Sequence, residues 1–486
     1  MSEGLPAGWR KIRVGEACRL VNGRAFKPTD WTAEGKPIVR IQNLNNHQAP
    51  FNCFKGTVDG KFLIESGELL FAWSGTPGTS FGAHIWDRGS AILNQHIFRV
   101  LEYEQRFDKD FLRYAINDRL DHLIGEAHGG AGLAHVTKPK FEATELLLPP
   151  LMEQRRIVAK LGALQSRSLR AREALDAVPL LLKKLHQSIL AAAFRGDLTK
   201  GWRTRHPHVG SVSKLLKQIP APPLPSRAKS RSIAVLPGDC GLSVGNPGTP
   251  APRGWQWVSL TDVARLESGH TPSRLRPEWW GGEIPWIGIK DARDHHGRTI
   301  TETRQTTNAD GLANSAARLL PRGTVCLSRT ASIGYVTVMG DEMATSQDFV
   351  NWVCTEAVEA HWLKWLFIAE KQALLRYSSQ STNVATIFYP ELLAFHICLP
   401  PPEEQREIVD RVERLMTLAA KIEETHIRGT GQLQLLAKSM LAKAFRGELV
   451  PQDPNDAPAD ATLSGLRNNA RAESPRQRAR RTKAAE

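Results

Sequence analysis

LPPLMEQRRIV (Leu148–Val158) and LPPPEEQREIV (Leu399–Val409) are one junction written twice, about 250 residues apart. In each, an apolar run ends at prolines. Proline has no N–H for a strand ladder and pushes its predecessor into extended geometry, so a strand must stop there. Glu153, or Glu403 with Glu404, then puts negative charge into the first turn of a helix, where the helix dipole favours it. Beyond the first junction Ile157, Leu161, Leu164, Ala171, Leu175, Val178, Leu182, Leu185 and Ile189 step by three and four. Beyond the second, Ile408, Val412, Leu415, Ala419, Ile422, Leu433, Leu436 and Met440 do the same. That is the spacing of a coiled-coil seam. Pro179 predicts a kink or short break in the first helix, and His426 and Gly429 interrupt the second seam. The quoted string therefore reads as a structural exit from a globule into a helix.

Other segments return in the same order. Pro6-x-Gly8-Trp9 pairs with Pro252-x-Gly254-Trp255, and KPIVRIQNL from Lys36 with EIPWIGIKD from Glu283. SGELLFAWSGTPG from Ser66 pairs with RGTVCLSRTASIG from Arg322, and Asn94-Gln95 with Ser346-Gln347. AAAFRGDL (Ala191–Leu198) returns as AKAFRGEL (Ala442–Leu449). Similarity at one site is common by chance, but five in register are not.

The fold class that follows is α/β: two repeated mixed α/β domains, each followed by a long helix. The two seams are buried most economically if the helices pair as an antiparallel coiled coil about a pseudo-twofold axis. The expected divisions are residues 1–150 (first α/β domain), 151–199 (first helical spacer), 200–250 (basic Pro/Ser/Gly-rich linker), 251–401 (second α/β domain), 402–449 (second spacer) and 450–486 (disordered basic tail). A seam of about 36 residues is roughly 54 Å long, more than the ~34 Å of one DNA turn.

Composition narrows the function. A chain of 486 residues, 41% hydrophobic, is too long for one core. It contains no run of about 18 apolar residues and begins without a signal-peptide apolar region, so a cytoplasmic protein is expected. The six cysteines include no Cys-x-x-Cys pair, which points to buried thiols rather than disulfides or zinc. A formal charge of +14 favours polyanions. Part of it sits in Pro/Ser/Gly-rich Lys200–Pro250 and in the C-terminal ARAESPRQRARRTK. The chain has no Gly-x-x-x-x-Gly-Lys-Ser/Thr loop, no amino-methyltransferase Asn-Pro-Pro-aromatic segment and no His-Glu-x-x-His. The nearest nuclease-like fragment is Asp30 with Asp59-Gly60-Lys61, a frequent pattern; His295-His296 reads as a solvated loop.

The double start motif, GHTP followed by WWGGEIPW (Gly269–Trp286), RGTVCLSRTASIG, SQSTNVATI (Ser379–Ile387), LPPPEEQREIV and AFRGEL together resemble the DNA specificity subunit of type I restriction-modification enzymes, from about residue 5 to residue 450. The second half fits better than the first, where GRAFKPTDW (Gly23–Trp31) and WSGTPGTSFG (Trp73–Gly82) depart from the pattern. The resemblance implies two domains that each read half of a split double-stranded DNA target, with the helices as a ruler. It also implies that this chain is not catalytic and carries no cofactor. Chemistry would reside in two modification (methyltransferase) subunits using S-adenosylmethionine and in restriction/translocase subunits using ATP and magnesium. The alternatives are a self-contained nuclease or methyltransferase and a two-headed protein-binding scaffold.

Base edges select Arg, Asn and Gln, and phosphates take cations, hydroxyls and backbone N–H groups. The polar loops after the paired strands offer Arg40, Gln42, Asn43, Ser74, Thr76, Gln95 and His96 in the first domain. In the second they offer Arg274, Arg276, Lys290, Arg293, Ser328, Arg329, Thr330, Ser332, Gln347, Ser381, Thr382 and Asn383. Arg329 and Lys290 stand out because each follows an apolar strand, a rigid base from which to aim a cation.

Overall fold

The computed structural model describes residues 5–76, 79–103, 107–125, 134–225, 230–379 and 384–459. The chain forms two compact units, one comprising Met1–Asp176 with the chain from Arg428 onward, the other Ala177–Ile427.

In the first unit Arg10–Arg13 pairs antiparallel with the exit strand Glu145–Leu148. An antiparallel sheet follows, in the order Cys18–Asn22, Ile97–Glu102, Glu68–Ala72, Gly82–Trp86. Lys36–Val39 lies parallel to Ala91–Leu93 in a second small sheet. The second unit repeats each part. Gln256–Ser259 pairs with Phe395–Leu399. Ala264–Ser268, Phe349–Cys354, Val325–Ser328 and Val336–Met339 form the antiparallel sheet in the same order. Trp280–Ile287 lies parallel to Ala344–Thr345. Alternating apolar residues such as Leu69 and Phe71, or Val325 and Leu327, bury one sheet face against the helices Lys109–Asp118 and Ala360–Ala369.

The repeated junction is a clamp as well as a strand stop. Glu153 is buried and accepts from the Trp9 indole N–H at 3.0 Å; Glu404 accepts from Trp255 at 2.9 Å. Gln154 and Gln405 reach the backbone N–H groups of Asp108 and Glu359, the N-caps of those two helices, at 3.0 and 2.7 Å. Glu153 lies in the first helical turn, as the helix dipole favours, and also binds a buried indole; burial raises its pKa.

The first long helix runs Leu151–Asp176, stops, and resumes as Val178–Phe194. Pro179 lacks the N–H that would bond to Leu175, which explains the expected break. The second, Pro402–Phe445, is continuous for 44 residues. Gly429 and Gly431 each cost it only about 1 kcal/mol. In the first unit the two helical segments run antiparallel: Ile157 and Leu161 share a core with Met440, Ala444 and Phe445, while Gly429 lies beside Leu175. The expected seam is nonetheless buried chiefly near the helix ends. Leu185, Ile422 and Leu436 are exposed.

Each unit is finished by the AFRG segment of the other repeat. Phe445 packs on Phe111 in the first unit, ring centroids 5.9 Å apart, and Phe194 on Trp362 in the second at 5.7 Å. Gly447 (φ +72°) and Gly196 (φ +79°) then end the helices in the left-handed region. The chain beyond also repeats: the Ala459 N–H donates to the Gly8 carbonyl and the Val212 N–H to that of Gly254.

Residues 200–250 are more than a linker. They include helices Lys200–Arg205 and Val212–Leu216, and the strand Leu242–Val244, which adds to Phe395–Leu399. Residues 451–459 pack on the first unit, Asp456 pairing with Arg156 at 2.5 Å; the rest of the expected tail lies outside the described residues. Among the described residues no helix is long and apolar enough to cross a membrane.

Candidate nucleic-acid interface

Three loops meet in each unit through one pattern of backbone hydrogen bonds. In the first, the Asn94 N–H donates to the Val39 carbonyl, the Trp73 N–H to that of His96, and the Val136 N–H to that of Trp73. In the second, Ser346 donates to Ile287, Arg329 to Asp348, and Ile387 to Arg329. The same scaffold thus gathers the loops after the parallel strand, after the central strand and before the exit strand, with different side chains on it.

Arg40 precedes the short helix Ile41–Asn45, its guanidinium 5.1 Å from the Trp31 ring, and Gln42 is exposed on that helix. Asn43 is removed from the candidates. It is buried, accepts from the Arg40 N–H and donates to the Ala49 and Pro50 carbonyls, so its hydrogen-bonding capacity holds its own loop. Asp291, its repeat counterpart, likewise binds the N–H groups of Gly288 and Arg304. Lys290 stands at the Gln42 position and is exposed.

Trp73 was missed by sequence reading and lies at the centre of the first cluster. Its indole N–H donates to Asn22 Oδ1 (3.2 Å) and the Gln95 carbonyl (3.1 Å), and its ring packs on His96 and His135. Ser74 is buried with Oγ 3.5 Å from His135 Nε2. Burial, with His135 nearby, holds the His96 pKa below the usual imidazole value, and its Nδ1 has no hydrogen-bond partner among the described residues. Gln95 Nε2 lies 3.2 Å from His96 Nε2, and Thr76 is exposed.

Arg329 occupies the Trp73 position. Its guanidinium donates to the Ile387 carbonyl at 3.3 Å and lies 5.5 Å from the Tyr389 ring, with Nε buried and unpartnered; burial lowers its pKa. Ser328, in contrast, is fully buried, donating to the Ser332 carbonyl (2.5 Å) and accepting from the Tyr335 N–H (2.8 Å), so it builds the turn. Thr330 bridges to Thr386, and the Ser332 side chain is exposed. Between them Ala331 adopts φ +61°, a left-handed conformation that costs a non-glycine residue energy; Gly75 holds the matching place in the first unit.

Nearby, Arg274 stacks 4.5 Å from Trp280 and donates to Gln305, and Thr271 donates to Gln347. Arg276 and Arg293 are exposed and lie 3.5 and 3.4 Å from Glu278 and Asp294. Ser381, Thr382 and Asn383 lie outside the described residues. No group of three or more His, Cys, Asp or Glu among the described residues could hold a metal ion. Asp59 is occupied with Lys61, and His296 Nδ1 accepts from the Val336 N–H.

The family profile of the type I restriction modification DNA specificity domain matches the chain twice, over residues 6–174 and 252–428. The type I restriction enzyme EcoBI specificity subunit of Escherichia coli is 24% identical over 461 residues, 91% of this chain and 87% of that protein. The MjaIX specificity subunit of Methanocaldococcus jannaschii is 30% identical over 162 residues, 32% of this chain and 37% of that one. The crystal structure of the HsdS subunit from Thermoanaerobacter tengcongensis aligns with a TM-score of 0.61 at 22% identity, covering 92% of this chain and 100% of that one, a likeness of fold. Both profile matches take in one three-loop scaffold and one clamp, and the chain belongs to the type I restriction modification DNA specificity family.

Proposed function

We propose that this chain is the specificity subunit of a cytoplasmic type I restriction-modification complex, and that each unit reads one half of a bipartite double-stranded DNA target. The observation that carries this reading is one loop scaffold built twice and furnished differently, with Trp73, Gln95 and His96 in one unit and Arg329, Gln347 and Tyr389 in the other. A reader of two unlike half-sites needs constant positioning and variable chemistry. Methylation and cleavage belong to partners: two modification subunits with S-adenosylmethionine, and restriction subunits with ATP and magnesium. The net charge of +14 supplies general affinity, so binding should weaken with salt at a log–log slope near −0.9 per neutralised phosphate.

The experiment is a binding-site selection on the assembled methyltransferase. Arg329→Ala is expected to relax one position of one half-site, losing about 1–3 kcal/mol of discrimination there. Equal loss on all sequences would make Arg329 a phosphate contact. Exchanging residues 10–148 with those of a relative should change one half-site alone, and coupled changes in both would overturn the assignment of one half-site to each unit.

A further inference from the structure

The exit strands of the two units differ in what lies on them. In the second unit the chain's own segment 238–245 covers Phe395–Leu399. Leu242–Val244 pairs antiparallel with it, the Cys398 N–H donates to the Gly241 carbonyl, and the Gly245 N–H donates to that of Ala394. The segment is anchored by Glu370, the fully buried C-cap of the helix Ala360–Ala369. Its carboxylate accepts from the N–H groups of Asp239, Cys240, Gly241 and Leu242 at 2.6–3.0 Å.

In the first unit the matching place is a groove of about 500 Å³. Its floor includes Ala143, Thr144, Glu145 and Leu147, the counterparts of Ala394, Phe395, His396 and Cys398. Among the described residues Glu145–Leu148 pairs with Arg10–Arg13 alone. The anchor is reversed in charge: Arg119, C-cap of the ten-residue helix Lys109–Asp118, stands where Glu370 stands. Lys11, Arg13 and Lys140 line the groove with it, against Glu145, which lies 3.9 Å from Lys11. Asp118 is 3.9 Å from Arg119 at its side.

We propose that this groove is a docking site for an extended acidic segment of another protein, which adds as a strand to Glu145–Leu148 and presents a carboxylate to Arg119. An open strand edge offers main-chain hydrogen bonds to any extended chain, and flanking charge selects among such chains. Glu370 can accept backbone N–H groups, but an arginine has only donors, so the occupant must bring the acceptor. The chain's own residues 460–486 are rich in arginine and match this groove poorly in charge. None of the residues lining the groove takes part in the hydrogen bonds that gather the three loops, and the proposal does not rest on how those loops read DNA.

The test uses the full chain and two labelled synthetic peptides of alternating sequence, (Glu-Val)4 and (Lys-Val)4, in fluorescence anisotropy. The acidic peptide is expected to bind and the basic one not. Arg119→Glu should weaken the acidic peptide about tenfold or more, as for loss of a charge-assisted hydrogen bond, with an unchanged unfolding temperature; Arg13→Glu provides a second variant. Methylating the peptide's backbone nitrogens should abolish binding, which charge attraction alone would not require. Equal binding of both peptides, or indifference to both substitutions, would overturn the proposal. So would a loss of duplex DNA affinity in Arg119→Glu without loss of peptide affinity, which assigns the groove to phosphate. Acidic-peptide binding that emerges only after deletion of residues 460–486 would overturn it in favour of the chain's own C-terminal residues.

Discussion

Phe445→Ala is expected to destabilise the first unit by about 3–5 kcal/mol, the usual cost of emptying a buried phenylalanine site, and to leave the second unit intact. Its ring lies in the core that contains Trp9, Phe111 and Ile157, more than 300 residues away in sequence from most of its neighbours. Phe194→Ala should do the reverse, because Phe194 packs on Trp362 in the core of the second unit. Hydrogen exchange read separately over Phe111–Ile116 and Trp362–Phe367 measures both outcomes. The result is crossed with respect to sequence: the substitution late in the chain loosens the early domain. Loss of protection in the unit that holds the same sequence repeat as the substituted residue would sink the crossed closure.

A fragment from Met1 to Leu216 is expected to form a homodimer. It lacks Met440, Ala444, Phe445 and Ala459, all members of the first unit's core. It carries their repeat counterparts Ile189, Ala193, Phe194 and Val212, which have no head to close within one copy. Ile189, Phe194 and Val212 are each worth on the order of 1.5–3 kcal/mol when buried, and the Ala193 methyl about 0.8 kcal/mol; a second copy can accept all four and return four about a twofold axis. The termini match in detail, since Gly196 and Gly447 share the left-handed cap and Val212 and Ala459 share the bond to the glycine of the Gly-Trp motif. Sedimentation at micromolar concentration reads the outcome. A stable monomer would mean that the two helix ends are not interchangeable, and that the break before Val178 is incompatible with the path of the continuous helix Pro402–Phe445.

The clustering of the candidate loops was partly legible. Arg329, Gln42, Lys290, Gln95 and Gln347 lie on loops that the structure brings together, because a polar residue directly after an apolar strand has little room to go elsewhere. Asn43 and Ser328 were misjudged for one reason. A loop returning onto a sheet leaves backbone groups that need partners, and a short polar side chain beside them is consumed locally. Trp73 lies in WSGTPGTSFG, a stretch that departs from the family pattern, and its place opposite Arg329 in the repeat marks it as a position where the two domains diverge.

The sequence by itself determined the duplication, the α/β character of each copy, the strand stop at each double proline and the break near Pro179, because these rest on local rules of periodicity and proline chemistry. Only the tertiary structure decided which copy of AFRG closes which domain, that the glutamates of the junction bind indoles, and that Leu242–Val244 belongs to a sheet. The two segments carry the same local pattern, so local patterning cannot choose between them; the choice is made by chain path and packing. The same logic separates Glu370 from Arg119: each ends a ten-residue helix, and only the fold places one beneath a strand of its own chain and the other in a groove where, among the described residues, no such strand lies.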